Sequence, residues 1–249
     1  MIPYIQFVSF QLGPLTIYVW GLMVALGILA GTWLAARLAR ERGLNPQVMW
    51  DLAFWGTLGG FVGARLAHVA FYAPETYLAD PWRILAIRDG GYSSAGAIIG
   101  GILCGVLYLK WKKLSVAAYA DVGAFGAPLG YAIGRVGCFL IHDHPGTLTS
   151  FVLGVKYPDG VRHDLGLYEA LSGFALTLLF VVLWKRKAPA GSYAPLFLIW
   201  YGASRFFLDF LRATDGAIVD ARYGNLTPAQ WLGAALFVWG LWLYRRRVV

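Results

Sequence analysis

Seven apolar stretches, near residues 15–37, 50–73, 94–111, 117–140, 166–184, 192–211 and 228–244, constrain this 249-residue chain more than any other feature. About 20 apolar residues cross the hydrocarbon of a bilayer as a helix, the form that satisfies its own backbone donors and acceptors there. Composition agrees: 59% of the residues are hydrophobic and 14% charged, at a mean hydropathy of +0.60, where soluble domains carry about 25% charge. Aromatic residues make up 16% of the chain, enough to furnish interfacial belts. The expectation is an all-α polytopic membrane protein of about seven spans, forming one integral-membrane domain over residues 1–249 with small outer loops or a cap.

The net charge of +8 raises the question of nucleic acid, but its placement answers it. Basic residues cluster as RLARER (37–42), KWKK (110–113), KRK (185–187) and RRR (245–247), three apiece, so twelve of the 21 Lys and Arg follow spans one, three, five and seven. The other loops hold Glu75, Asp80, Asp89, Asp143, Asp159, Asp164, Asp215 and Asp220. Lys and Arg gather in cytoplasmic loops, so this pattern puts the N-terminus outside, the C-terminus in the cytoplasm and no nucleic acid among the partners. The opening MIPYIQFVSFQLGP lacks the basic region and cleavage site of a signal peptide and reads as an amphipathic segment on the outer face. Pro158-Asp159-Gly160, between alternating residues, reads as the turn of a small hairpin. Cys104 and Cys138 make no disulfide framework.

Topology leaves some charges unexplained. Arg65, Asp121, Arg135, Glu169, Arg205 and Asp209 fall in or at the ends of spans. An ionised group at the bilayer centre costs at least about 2.5–3.5 kcal/mol, so such residues face a polar interior and mark sites, or else form internal ion pairs and snorkelling contacts. Asp121 lies near the cytoplasmic end, where a structural role fits; the others fall toward the outer half. Arg205, Asp209 and Arg212 share one helical face, as a catalytic stripe or as an intrahelical salt bridge. Glycine-rich GTLGGFVGAR, GGYSSAGAIIGG and GAFGAPLGYAIGRVG read mainly as close packing seams, with Gly90-Gly91, Gly134 and Gly137 as candidates for backbone shaped around a ligand. A guanidinium favours phosphate through its planar fork, and in a membrane that phosphate is a lipid head group.

The fragment GRVGCFLIHDHPG (134–146) adds a thiol, an acid and two imidazoles at the outer edge. His142, Asp143 and His144, with His163 further along, offer metal donors, though without helical i, i+4 spacing, and neither metal nor cofactor is expected. Asp143 reads alternatively as a turn cap before Pro145-Gly146.

Those residues, with VWGLMVALG (19–27), GARLAHVAFY (63–72), LYEAL (167–171), YGASRFFLDFLR (201–212) and LTPAQWLG (226–233), make the chain resemble the prolipoprotein diacylglyceryl transferases from about residue 14 to 244. The family signature Gly-Arg-Ile-Gly-Asn-Phe followed by Ile-Asn-Gly-Glu appears as GRVGCFLIHD, with Arg135 on its essential arginine. The resemblance implies transfer of diacylglyceryl from phosphatidylglycerol to the lipobox cysteine of prolipoproteins. It implies a bacterial cytoplasmic (inner) membrane, phosphatidylglycerol and a prolipoprotein signal peptide as partners, and a monomer. Departures are Cys138 for Asn, Asp143 and Asp209 for Glu, Trp20 for Tyr, Ala95 for a His, and DLGLYE for Pro-Ser-Gln-Leu-Tyr-Glu.

On this reading the catalytic candidates are Arg135, Asp143, Arg205, Asp209, His142 and His144. Arg65, Gly134, Gly137, Cys138, Trp20, Ser94, Tyr168, Glu169, Tyr201 and Arg212 are the substrate-binding candidates. Arg135 and Arg205 clamp phosphate; His142, Asp143 or His144 takes the thiol proton. The alternatives are a diverged paralogue with the same phospholipid pocket and another acceptor, and a non-enzymatic lipid-binding membrane protein. The missing histidine motivates the first. The lack of a transporter-like repeat weighs against the second.

Overall fold

The computed structural model describes residues 1–71, 74–86, 90–215 and 222–247, apart from the side chains of Ser94, Ala95 and Arg247. Its helices are α1 (Val19–Glu41), α2 (Gln47–Phe71), α3 (Pro74–Ala79), α4 (Ser94–Trp111), α5 (Val116–Ile141), α6 (Leu165–Lys185), α7 (Tyr193–Leu208) and α8 (Pro228–Arg247). The seven long ones fall on the seven apolar stretches. By length and composition α1, α5 and α6 suffice to cross a membrane; α4 offers a shorter apolar run, Gly96–Trp111.

The chain is not wholly α. The described residues hold six short strands: β1 (Ile2–Pro3), β2 (Ser9–Leu12), β3 (Leu15–Tyr18), β4 (Pro145–Leu148), β5 (Val155–Tyr157) and β6 (Gly160–Asp164). The first apolar stretch therefore begins as a strand, and α1 starts only at Val19. The opening segment, expected only as an amphipathic stretch, is built of short strands: β2 and β3 form an antiparallel hairpin around Gly13, whose φ of +59° suits glycine. The other sheet runs β1-β5-β6-β4, with β1 parallel to β5 and the rest antiparallel. The expected hairpin is there, Tyr157 pairing with Gly160 across Pro158-Asp159.

Two glycine seams make two tight helix pairs. A Cβ on Gly27 would sit 2.5 Å from the Gly130 carbonyl oxygen, and one on Gly31 would sit 2.9 Å from that of Gly126, so α1 and α5 touch backbone to backbone. Gly59 against Gly100 (2.7 Å) does the same for α2 and α4. A buried cluster at the basic end, including Leu38, Val122, Phe125, Phe180 and Tyr193, ties α1, α5, α6 and α7 together. Asp121 anchors that end: it pairs with Arg42 at 2.6 Å and accepts from the backbone N–H groups of Gly191, Tyr193 and Ala194, capping α7. The structural role expected of it is what its partners give it.

Candidate functional site

At the sheet end, α5 runs out at His142 in the left-handed conformation, α6 starts, α7 tightens into a 3₁₀ turn over Asp209–Leu211, and α8 begins. Local rules place these termini. Asp164 caps α6, accepting from Leu167 N–H at 3.0 Å. Thr227 and Gln230 form a reciprocal capping box on α8, ahead of Pro228 at the first helical position: Gln230 N–H donates to Thr227 Oγ1 at 3.2 Å and Thr227 N–H to Gln230 Oε1 at 2.9 Å. The Thr227 hydroxyl also donates to Asp209, which fixes the end of α7 to the start of α8.

Within this frame one buried carboxylate gathers two guanidiniums. Glu169, on the first turns of α6 and only 2% exposed, pairs with Arg135 Nε at 2.5 Å and with Arg205 Nη1 at 3.0 Å. Tyr131 donates its hydroxyl to the same carboxylate at 2.8 Å, and its ring lies 5.3 Å from the Arg135 guanidinium carbon. Arg205 also reaches Asp209 at 3.5 Å, and Arg212 reaches the same oxygen at 3.8 Å. Three guanidiniums thus face two buried carboxylates.

Arg135, Arg205 and Arg212 border a cavity of about 820 Å³, within the range of roughly 300–1,000 Å³ typical of ligand pockets. Of the residues expected from sequence, Trp20, Gly134, Arg135, Cys138, Asp143, His144, Tyr201, Arg205 and Arg212 line it. Gly134 faces it with open space where a side chain would stand. Glu169 and Asp209 lie behind the wall, holding the arginines. Asp143 hydrogen-bonds His144 Nδ1, while Arg135 Nη1 approaches His144 Nε2 at 3.4 Å and Cys138 Sγ at 3.7 Å. The Asp143 carboxylate, helped by Cys138, raises the His144 imidazole to about 9, against burial and the Arg135 charge.

The structure does not bring the remaining expected residues into the cavity. Arg65 is 6% exposed, but its guanidinium donates to the backbone carbonyls of Arg83, Ile84, Ala86, Gly90 and Gly91 and lies over Tyr77 and Tyr92, so it clasps the segment after α3. His142 turns into the sheet, bonded to Asp164 at 2.7 Å and stacked on Tyr4. Gly137 packs on Met23 and Trp20, and Tyr168 bonds His163 at 2.8 Å. The side chain of Ser94 lies outside the described residues, as do Asp89 and Asp220.

Sequence reasoning passed over Tyr131. Its spacing of four from Arg135 on α5 was the available signal. Of the donor set that does assemble, in which Cys138, Asp143 and His144 offer ligand atoms within 4.8 Å of one another, it named the last two and missed Cys138. The Arg135 guanidinium lies against both Cys138 and His144, a neighbour that repels a divalent ion, and the cluster reads as a hydrogen-bonded relay.

Fold and cavity together define a helical membrane protein with an arginine-walled chamber where its helices meet a small sheet. The model of the family described as prolipoprotein diacylglyceryl transferase matches residues 7–246, so the chain belongs to that family. It is similar to proteins named phosphatidylglycerol–prolipoprotein diacylglyceryl transferase. That of Chromohalobacter salexigens is 35% identical, over 95% of this chain and 93% of its own. The Geobacter sulfurreducens protein is 35% identical over 96% and 94%, and that of Bacillus cytotoxicus 34% over 95% and 90%.

Proposed function

We propose that this chain transfers diacylglyceryl from phosphatidylglycerol to the lipobox cysteine thiol of prolipoproteins, forming a thioether. The observation that carries the reading is the convergence of Arg135 and Arg205 on Glu169 at the wall of one cavity, with Arg212 on the same wall. A phosphodiester is the complement of that wall. Guanidiniums already oriented by a carboxylate lose little freedom on binding it, and they meet the charge that develops on phosphate as glycerol 1-phosphate leaves.

The acceptor thiol must lose its proton before it attacks the glycerol carbon. His144 is the base: Asp143 holds its Nδ1 proton, and Nε2 faces Arg135 and the cavity. Asp143 positions it. The relay occupies the work expected of the family histidine that Ala95 replaces. Glu169 and Tyr131 set the arginines, and Asp209 sets Arg205 and Arg212.

Seven spans, an outside N-terminus, a cytoplasmic C-terminus and a bacterial inner membrane complete the reading, supported by the alternating basic clusters. The chain acts as a single domain and a monomer. Radiolabelled phosphatidylglycerol and a lipobox peptide test it: label should pass to the peptide's cysteine, and expression should restore lipoprotein processing in cells depleted of their own transferase. A peptide left unlabelled by folded protein overturns the reading in favour of another acceptor or a binding role.

A further inference from the structure

α8 leans on α7: a Cβ on Gly202 would sit 2.5 Å from the Gly233 carbonyl oxygen, and one on Gly240 would sit 2.8 Å from the Ile199 nitrogen. That close approach leaves α8 apart from α5 at the basic end of the bundle, where a cavity of about 640 Å³ opens between them. Local sequence makes the gap. Ala117, Ala120 and Ala124 share one face of α5, three and four residues apart, and an alanine is too short to reach across. Gly191 and Ala194, where the chain enters α7, keep the floor low. From the far side α8 presents Trp239, Leu243 and Arg246, four and three apart, so an apolar wall ends in a guanidinium. Two charged side chains face the space. Asp121 is fully engaged by Arg42 and three backbone N–H groups. Arg246 stacks on Trp242, its guanidinium carbon 3.9 Å from the ring centroid, and among the described residues no carboxylate reaches it. A guanidinium stacked on a ring keeps its in-plane donors for an anion.

We propose that this slot holds an anionic phospholipid of the leaflet at the basic ends of the helices, with its phosphate on Arg246 and the glycerol end of one acyl chain between α5 and α8. Three observations select the occupant. The walls are apolar and belong to helices of a membrane protein. The cation at the mouth is matched by no acid, and basic pockets between helices at the cytoplasmic side are where anionic head groups bind. Ala117 and Ala124 lie seven residues apart, about 10 Å of helix, which is the outer third of a hydrocarbon core of about 30 Å. The site is separate from the arginine-walled cavity, with which it shares no lining residue. The lipid fills what the alanines leave empty and ties α8 to α5. The rival occupant is a helix from a second copy of the chain.

The test uses full-length protein in phosphatidylcholine nanodiscs, doped with phosphatidylserine that carries a diazirine near the glycerol end of an acyl chain. Light should label peptides containing Ala120, Leu198 or Leu243, and unlabelled phosphatidylserine should compete the label away. Arg246→Gln should lower that labelling about tenfold, the worth of a charge-assisted hydrogen bond. Ala120→Phe should lower it by closing the slot. Arg245→Gln, in the same basic cluster but off the cavity wall, should leave it near wild type. Equal labelling by a diazirine phosphatidylcholine, or an equal fall in R245Q and R246Q, overturns the proposal, because it shows unselective lipid or diffuse charge. Labelling confined to peptides of the arginine-walled cavity overturns it as well. So does a two-chain mass in detergent that A120F reduces to one, which assigns the slot to a second copy. Wild-type labelling and its competition decide the matter even where a variant fails to fold. Phosphatidylserine is not the donor of the proposed transfer and both leaflets carry the probe, so the outcome is independent of the transferase reading and of the orientation.

Discussion

Arg65 and Arg135 are both arginines inside apolar helices, each preceded by a small residue, and both buried or nearly so. What they touch separates them. Arg65 spends its guanidinium on five backbone carbonyls and two aromatic faces, a neutral cage that ties α2 to the segment before α4. Arg135 rests on a carboxylate it shares with Arg205, leaving its outer edge on a cavity. Carbonyls use up a cation's hydrogen bonds, whereas a shared carboxylate brings two cations together on the wall of one cavity. The kind of partner, rather than depth in the membrane, distinguishes an arginine that anchors from one that binds.

The largest effect expected from breaking this contrast lies in the relay beside Arg135. His144→Ala should lower transfer by about 10²–10⁴-fold, the usual worth of a general base, whereas His142→Ala, whose ring is bonded to Asp164, should act on thermal stability instead. The pH dependence follows: the base works when neutral, so kcat/KM should climb with pH and level off near 9. Stability should move the other way. A folded-state value raised from 6.5 stabilises the protein below 6.5, and that contribution is lost as pH rises through about 9.

Next in size, Arg135→Gln or Arg205→Gln should cost transfer about 10²–10³-fold, as removal of a transition-state donor does. Arg65→Gln should instead strand buried carbonyls, at a cost on the order of 2–4 kcal/mol in stability. In detergent this shows as a lower Tm, with KM for phosphatidylglycerol near that of wild type. A drop in lipid affinity without a drop in Tm would erase the distinction between the two arginines.

The smallest effect belongs to the sheet. Arg162 grips Asp159 and Asp215, holding both carboxyls below the usual carboxylate range. The pair therefore stabilises the fold above about 4 and ceases to as pH falls below that. Arg162→Met should flatten the acid limb of a Tm-against-pH curve by a degree or so, and an unaltered limb would show these exposed pairs to be inert.

The helices were legible because each must bury its backbone in the same apolar solvent, and no other pattern of 20-residue stretches does so. Arg205 and Asp209 were legible too, since a spacing of four on one helix forces proximity. The sheet was not, beyond its hairpin: β1 pairs residues 2–3 with residues 155–156, across four of the long helices, and no local signal encodes that. Nor could spacing separate His142 from His144. The left-handed turn at His142 sends one ring into the sheet and the next into the cavity. Arg65 looked like a ligand-binding residue because its carbonyl partners are backbone, invisible in side-chain composition.

The most direct test of the arginine pair measures equilibrium affinity for phosphatidylglycerol against the diacylglycerol that lacks its phosphate. Wild type should prefer the phosphate-bearing lipid, each single Gln variant should lose most of that preference, and R135Q/R205Q should lose little more, because one carboxylate couples the two cations. A double variant that keeps the wild-type preference would contradict the account.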